Sequence, residues 1–382
     1  MVLGRSNHFY LAHFDPARLT FARELRGMTK KELGEQVART SSLISQYESG
    51  KVAPPLDTFI QITRVLNLPG AFFSTTSQPL SQSSLGQTHF RANLRVPQAD
   101  RQRAHNYGRL VFGIFTYLEE IGINFPEPRL PHYEQPATEN ALEELAVEFR
   151  KNVGLGLGPI HDLAALVESL GVRIILLPPG EIKLDGFATW IDGIPCMMID
   201  GGSVASRLQF NYAHELAHLV FDENNAPNDV LLERRANRFA GALLMPRPTF
   251  KEDCPGRYKQ PLFQSVKDHW HVSIAAALFR ARQLGIISEG QYRSACITRN
   301  RQGVFRKEEQ EFEPSYPTLL AQAMEMAIEK IKLEEMAEAI GVSYEELEGI
   351  LIQQGMNKLL LHIMRPEIKF AKIFDFTAIR KT

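Results

Sequence analysis

In the N-terminal part of the chain, the apolar residues are spaced as in a series of short helices. From Pro16 to Phe73 apolar positions recur at helical spacing, with breaks at Gly27, near Arg39, at Gly50 and at Pro54-Pro55. Apolar residues three and four positions apart favour amphipathic helices, and glycine or proline ends them. This stretch therefore predicts a compact module of several short helices.

The next segment changes composition abruptly. Eight of the fifteen residues from Ser74 to Thr88 are serine or threonine, which is typical of a linker. An amphipathic helix is predicted from His105 to Ile121. The proline-spaced stretch NFPEPRLPHYEQPA follows, and we expect it to run extended because its prolines exclude a helix.

The central region predicts a small sheet among helices. VRIILLP is typical of a buried strand, and GFATWIDGIPCMMID predicts two strands joined at Asp192-Gly193, a strong two-residue hairpin signal. Helices are predicted at Ala141–Val153, Ile160–Leu170, Ser206–Phe221, Val230–Met245, Ser273–Leu284 and Glu289–Ile297.

The C-terminal region predicts three more helices, at Tyr316–Ile331, Leu333–Ile340 and Tyr344–Gln353. The sequence LEEMAEAIGVSYEELEGIL in this region resembles a helix-turn-helix with Gly341 in the turn. Residues 308 to 348, however, hold twelve glutamates against two lysines, a charge that repels phosphate. We therefore favour an interaction element for dimerisation or for masking an active site over a bare solvated helical bundle.

Composition places the chain among ordinary globular proteins. Hydrophobic residues make up 44% and charged residues 23% of its 382 residues, and the length predicts two or three domains. No apolar stretch has the length of a membrane span, and the N-terminus lacks the apolar run of a signal peptide. We expect a cytoplasmic protein without membrane contact.

The number of cysteines and the distribution of charge exclude some functions and favour others. The three cysteines, Cys196, Cys254 and Cys296, form no CxxC pair, so neither a disulfide framework nor a thiolate zinc site is indicated. Net charge is -1, but residues 17 to 70 carry eight Lys/Arg against five Asp/Glu, and residues 89 to 110 carry five Arg against one Asp. The basic charge lies toward the N-terminus.

A metal-binding pattern stands out in NYAHELAHLVF. Four-residue spacing on a helix projects His214 and His218 together, so that both rings can bind one zinc ion. Glu215 would then lie beside the open coordination position, where it could take a proton from water as general base. Surface histidines are the alternative, but the residues after Glu215 make this helix apolar nearly all round, which indicates burial and a need for partners.

A third ligand is expected downstream, because catalytic zinc sites use three protein ligands. The HExxHxxGxxH pattern is excluded, since Phe221 replaces its glycine and Asn224 its third histidine. In the next predicted helix, ERRANRFAGALLMP, helical spacing puts Glu233 on an inward face of small residues. Asn237, one turn later, is a candidate partner that orients a ligand histidine.

Other interpretations of Glu233 stay open. A glutamate at a helix start is also favoured by the helix dipole alone. Asp222, Glu223 and Asp229 are rival carboxylates in the loop, though loops place ligands less rigidly.

HELAH followed by ERRANRFAGALLMP resembles the ImmA/IrrE family of metallopeptidases. The resemblance implies that Glu233 is the third ligand, that Zn²⁺ is the cofactor, and that a zincin-type domain with a small sheet covers about Ala141 to Gly303. It also implies cleavage of Xre-type repressors. Ala217 departs from the family, where glycine is common at this position, and we expect alanine to fit the same tight contact.

Two further parts of such a site are less defined by the sequence. An edge strand, either Gly186–Trp190 or Ile194–Ile199, could pair with an extended substrate, and both strands could equally be internal to the sheet. Stabilisation of the oxyanion needs another group. His269, His271 and Tyr292 are the candidates, and structural roles are the alternative for each.

The N-terminal region has the organisation of a helix-turn-helix, in the sequence LTFARELRGMTKKELGEQVARTSSLISQYESGKVAPP. One helix is opened by Thr29 and a second begins near Thr40. It resembles the Xre/Cro family, although Ala38 stands where glycine is usual in the turn. The resemblance and the side-chain chemistry give the following candidate DNA contacts: Ser41, Ser42 and Gln46 to bases, and Lys30, Thr40 and Lys51 to phosphates. Modules of this fold also serve as protein docking units, which is the alternative.

Together these patterns predict a mainly α, multidomain chain. We expect an all-α helix-turn-helix domain at 1–73, a linker and connecting helix at 74–136, an α+β zincin-like domain at 137–303 and an acidic helical region at 304–382. The predicted function is a zinc endopeptidase coupled to a DNA-binding module, acting on a repressor or antitoxin, with the chain as a homodimer. The alternative is a non-proteolytic regulator whose zincin domain is a sensor.

Overall fold

The structure is a computed structural model that describes residues 8–74, 97–134, 136, 138–221, 229–303, 308 and 310–364, with side chains to residue 360. It is mostly helical with one three-stranded sheet, which confirms the predicted fold class. The predicted linker lies outside the described residues except for Ser74, and so do Asp222, Glu223 and the side chain of Asp229.

The N-terminal domain is a bundle of short helices that end where the glycine and proline pattern predicted. They are α1 at 8–12, α2 Pro16–Leu25, α3 Lys30–Gln36, α4 Ser41–Glu48, α5 Leu56–Val65 and a 3₁₀ turn at Gly70–Phe73. Thr29 and Glu32 form a reciprocal capping box at the start of α3, and the Thr40 hydroxyl caps α4 by accepting from Leu43 N. These caps fix the two helices of the helix-turn-helix.

The turn between α3 and α4 depends on Gly34 more than on the residue at the turn itself. A Cβ on Gly34 would lie 2.6 Å from the carbonyl oxygen of Arg39 and 3.3 Å from Ser41 N. Ala38, where glycine is usual, adopts a φ of 51°, a left-handed conformation that alanine adopts at some cost in energy. The two helices therefore approach too closely for any side chain at Gly34.

Helix α6, Gln98–Glu120, begins seven residues before the predicted start and is part of the core. Its apolar face joins one hydrophobic core with the helix-turn-helix domain, one face of the sheet and the C-terminal helices. Arg103 donates to Leu25 O at the end of α2 and to the Glu181 carboxylate, and Asn106 donates to Phe21 O. The connecting helix is thus a packed interdomain element.

The sheet consists of β1 Arg173–Leu177, β2 Gly186–Ile191 and β3 Ile194–Asp200, in the order β1-β3-β2. Strand β1 runs parallel to β3 and β2 antiparallel to it. Asp192 and Gly193 have φ values of 48° and 80°, as a type I′ hairpin turn requires, so the predicted hairpin is confirmed.

Helices surround this sheet and form a second core on its other face. They are α7 Glu139–Asn152, α8 Leu163–Ser169, α9 Ala205–Val220, α10 Asp229–Leu244, α11 Arg247–Asp253, α12 Gln260–Trp270, α13 Ile274–Gln283 and α14 Glu289–Arg301. The described residues of the proline-rich stretch before α7, which are 124–134 and 136, form no regular helix or strand, and they hydrogen-bond along the domain, for example from Tyr133 N to Val220 O.

The C-terminal helices are α15 Leu319–Met326, α16 Leu333–Ile340, α17 Tyr344–Gln353 and α18 Asn357–Met364. Helix α15 is shorter than the predicted Tyr316–Ile331 at both ends. Its start is fixed by Glu168, which accepts from Thr318 N and Leu319 N. Arg26 and Glu346 form an ion pair of 2.8 Å across the two ends of the chain. The region thus interacts with its own helix-turn-helix domain, and self-association stays a prediction.

Residues 310–318, called the strap below, cross the central domain before α15. Glu311 accepts from Ser206 N and from Lys267 Nζ, Ser315 O accepts from the Tyr212 hydroxyl, and the Phe312 ring lies 4.8 Å from that of His271.

Over the described part of the chain, no helix has the length and apolar character needed to cross a membrane.

Candidate metal centre

Helices α9 and α10 hold the predicted metal ligands. Their facing surfaces carry small residues, with Ala213 and Ala217 on α9 and Ala236 and Ala240 on α10, all at most 2% exposed. Small side chains let two helices approach closely, so that ligands on each can converge on one point. Ala217 is fully buried.

Three predicted ligands converge. His218 Nε2 lies 3.2 Å from His214 Nε2 and 3.4 Å from one oxygen of Glu233, and His214 Nε2 lies 3.5 Å from the other oxygen. His218 is buried, whereas His214 and Glu233 keep 14% and 27% of their side-chain surface exposed. The cluster is therefore formed inside the protein and open on one side.

These distances fit a tetrahedral zinc site. Zinc bonds of about 2.0 to 2.1 Å separate two ligand atoms of a tetrahedron by about 3.3 to 3.4 Å, close to all three separations. Glu233 Oε1 is also buried, and its nearest polar neighbour, His218 Nε2 at 3.4 Å, does not form a well-directed hydrogen bond with it, as suits an oxygen that binds a metal ion. Two imidazoles and a carboxylate are the donors of a catalytic zinc site, so the residues fit the ion.

The two histidines control the ionisation of Glu233. Burial alone would raise the pKa of this carboxyl, but hydrogen bonds and charge from His214 and His218 outweigh burial and lower the pKa to about 2. Glu233 is therefore ionised at neutral pH, as a metal ligand must be.

Glu215 lies at the wall of the same site. Its side chain is 5% exposed, and its Cγ is 3.4 Å from where a Cβ on Gly186 would stand, at the start of β2. Glu215 and His214 both line one cleft. Glu215 thus lies beside the first residue of β2 and lines the cleft together with His214.

The other predicted site residues lie elsewhere or make other contacts. Asn237 Nδ2 donates to the backbone carbonyl of Glu233 at 2.7 Å, so that contact holds the main chain of a ligand and not a histidine ring. His269 pairs with Asp253, His271 packs against the rings of His161 and Phe312, and Tyr292 contacts Arg282. None of these three lines the cleft among the described residues.

The cleft encloses about 1750 Å³, enough for a peptide segment. One wall is the start of α9 with residues 183–186, and the other is formed by α10 and α13, where a Cβ on Gly241 would meet only Arg280 and Gln283, at 3.9 and 4.0 Å. Glu308, Gln310 and Glu311 close one end. The strap therefore borders the cleft while His214 and Glu233 stay accessible.

A buried ion cluster that sequence analysis missed holds the α10–α13 wall. Glu143 on α7 accepts two bonds of 2.6 Å from Arg280 on α13 and one of 3.0 Å from Arg238 on α10. Burial raises the pKa of Glu143, but the two arginines reverse this and leave the pKa below its usual value. No local sequence pattern joins residues so far apart, so only the structure reveals the cluster.

The sheet presents β2, not β3, at an edge. Strand β3 is central, which rules out Ile194–Ile199 as the docking strand, while Gly186 at the start of β2 lines the cleft. The opposite edge is covered, because the Gln354 amide both accepts from Leu176 N and donates to Leu176 O.

The predicted DNA-contacting residues differ in exposure and in their contacts within the protein. Ser41, Ser42 and Lys51 are exposed and Gln46 is half-buried. Thr40 is exposed and caps α4. Lys30 Nζ donates to Ser45 Oγ at 3.2 Å and pairs with Glu48 at 3.3 Å, so its charge is partly neutralised within the protein. Lys51 is thus better placed than Lys30 to meet a phosphate.

Comparison with known proteins agrees with both halves of this description. Residues 167–282 match the peptidase family described as IrrE N-terminal-like domain, and residues 21–73 match the helix-turn-helix family. These matches confirm the resemblances found in the sequence. None of the curated proteins matches the chain.

Among solved structures, the chain is similar to the Bacillus thuringiensis protein PlcR in complex with the peptide PapR7 and DNA. The two sequences are 12% identical over 93% of this chain and 99% of that chain, with a TM-score of 0.14. A TM-score this low does not establish a shared fold.

Proposed function

Because the chain joins a helix-turn-helix DNA-binding domain to an IrrE N-terminal-like peptidase domain, we propose that it is a zinc endopeptidase acting beside DNA. The observation that carries this proposal is the convergence of His214, His218 and Glu233, with separations of 3.2 to 3.5 Å that suit one tetrahedral ion. An open cleft beside the three side chains supports catalysis over a closed structural zinc site.

Each residue has a defined part in peptide hydrolysis. His214, His218 and Glu233 would hold Zn²⁺, which supplies Lewis acidity for the peptide carbonyl and for the attacking water. Glu215, one residue beyond His214, would accept the proton of that water and transfer it to the amine of the leaving product. The low solvent exposure of Glu215 keeps bulk water from competing for this proton.

The cleft suits an extended peptide. Its length and its strand-bordered wall would take several residues of main chain, with backbone hydrogen bonds to residues near the start of β2. A flexible segment of a protein meets these requirements better than a rigid folded surface.

The substrate we propose is a repressor or antitoxin. A helix-turn-helix domain concentrates the peptidase on DNA, where repressors bind, and a cut in one of them would change transcription in a stress, phage-defence or toxin-antitoxin response. Exposed Ser41, Ser42 and Lys51 support DNA contact by α4 and the residues after it.

The test is direct. The zinc-loaded protein is incubated with purified Xre-type repressors encoded near its own gene, and products are identified by mass spectrometry. We expect one or a few cuts, lost when a chelator removes the metal. Intact repressors in both samples, with DNA binding that responds to zinc, would instead support a metal-sensing regulator.

A further inference from the structure

One segment of the cleft wall is fastened to the active-site helix by side chains of that helix. Asp185, the residue before β2, accepts at its backbone oxygen from Asn211 Nδ2 at 3.2 Å and from Asp200 N at 3.0 Å. Its carboxylate pairs with Arg207 at 2.6 Å. Residue 185 is thus held from both α9 and the end of β3.

The contacts on α9 follow one row of the helix. Arg207, Asn211 and Glu215 are spaced four residues apart, so their side chains lie on the same face, one turn above another. Arg207 and Asn211 meet Asp185, and Glu215 packs beside Gly186. Glu215, the proposed general base, therefore belongs to the same row of α9 side chains as the two residues that bind Asp185.

Asn211 makes the larger contribution to this row. It is 9% exposed, whereas both side chains of the Arg207–Asp185 pair are more than half exposed, and exposed ion pairs contribute little. The Asn211 bond reaches the main chain of residue 185 directly, and its loss would leave the Asp185 carbonyl held by Asp200 N alone.

There is little free space around the first residue of β2. A Cβ on Gly186 would lie 2.9 Å from Ile199 Cδ1 and 3.1 Å from Met198 O on β3, and 3.4 Å from Glu215 Cγ on α9. Gly186 therefore lies close to both β3 and the proposed general base. Beside the bond from Asp200 N, the Asn211 amide is the link from α9 to the main chain of residue 185.

From this geometry we propose that Asn211 is a positioning residue for the peptide main chain. It holds Asp185 and Gly186 at a fixed distance from Glu215, so that a peptide lying against this wall has its scissile carbonyl within reach of the general base. The inference rests on the proposed function and adds to it a residue outside the HExxH pattern.

Two inhibitors of different length separate positioning from metal binding. Acetohydroxamate binds only a metal, whereas a tripeptide hydroxamate also needs the wall. Calorimetry on the zinc-loaded protein compares the native chain with Asn211→Asp, which keeps the shape but replaces the donor with a repelled carboxylate. We expect the tripeptide hydroxamate to bind about tenfold more weakly, with acetohydroxamate affinity and zinc content unchanged.

Three further measurements serve as controls for effects of charge and of folding. Asn211→Leu carries no charge and should give the same pattern. Asn152→Asp makes the same chemical change at an exposed amide that bonds Tyr133, away from the cleft, and should behave as native. Hydrogen exchange in the metal-free protein should be faster for residues 183–191 in the two Asn211 variants only.

The result that would overturn positioning is an equal effect of Asn211→Asp on both hydroxamates, or none on either, with native hydrogen exchange in residues 183–191. Failure of the proposed function looks different. In that case the native zinc-loaded protein would bind the hydroxamates without cleaving any repressor, while the Asn211 effects on binding and exchange would persist.

Discussion

A methyl group on Gly34 would lie 2.6 Å from the carbonyl oxygen of Arg39. This close approach sets the distance between α3 and α4, the two helices of the helix-turn-helix, because α3 must pass directly over the turn. Real Cβ atoms do not come this near to a backbone oxygen, so the turn or the helix would have to move.

We predict that Gly34→Ala lowers the free energy of unfolding of the N-terminal domain by about 1 to 3 kcal/mol, the usual range for overpacking. Denaturant unfolding measures it. Gly349→Ala is the matched control, since Gly349 is within α17 and a Cβ there meets nothing within 4 Å. That variant should be neutral or up to about 1 kcal/mol more stable. Equal effects of the two substitutions would contradict the role of Gly34.

The sequence was sufficient for elements whose signals are local. Leu333–Ile340 and Tyr344–Gln353 have the predicted bounds, and the Asp192-Gly193 hairpin forms as predicted. The ligand helix differs from its prediction by one residue at each end. In each case periodicity, a cap or a turn residue lies within the element itself, so no distant contact was needed to place it.

Elements and roles that depend on distant contacts were missed. Helix α11 has seven residues, too few to show a period, and α12 begins with a proline in its first turn. The first turns of α6 are polar and are held by contacts such as Arg103 to Glu181. The role of Asn211 depends on Asp185, which only the fold brings near. The cluster of His214, His218 and Glu233 could be predicted because two of its members share a helix and the resemblance to a family pattern supplies the third.

Glu168 should give the protein a pH-dependent stability. Burial raises the pKa of this carboxyl to about 7, from an ordinary value of 4.5, although it accepts from Thr318 N and Leu319 N. Between these two values the folded state keeps a proton that the unfolded state has released, so the free energy of unfolding falls as pH rises. The contribution is on the order of 2 to 3 kcal/mol.

Comparison with Glu168→Gln isolates this contribution from that of other groups. The amide can still accept from the α15 backbone but does not titrate. The difference in free energy of unfolding between variant and native chain should therefore shift in favour of the variant from pH 4.5 to pH 7. Glu148→Gln, at an exposed position of α7, should follow the native curve. A constant difference for Glu168→Gln would show that this carboxyl does not titrate as described.

DNA binding should depend more on Lys51 than on Lys30. Lys51 is exposed beyond α4, whereas Lys30 is paired with Glu48 at 3.3 Å. We predict that Lys51→Ala weakens binding to a mixed-sequence duplex and reduces the slope of log affinity against log salt by about 1, as loss of one phosphate contact does. Lys30→Ala should change the slope less. Fluorescence anisotropy at several salt concentrations measures both, and a larger effect of Lys30→Ala would reverse the assignment.

The most direct test of the central claim pairs two variants of the site. Glu215→Gln should keep about one zinc ion per chain but lose cleavage of the repressor substrate by about a hundredfold or more, since only the general base is removed. Glu233→Ala should lose both zinc and cleavage. Cleavage by Glu215→Gln at the native rate, or full zinc content in Glu233→Ala, would contradict the account.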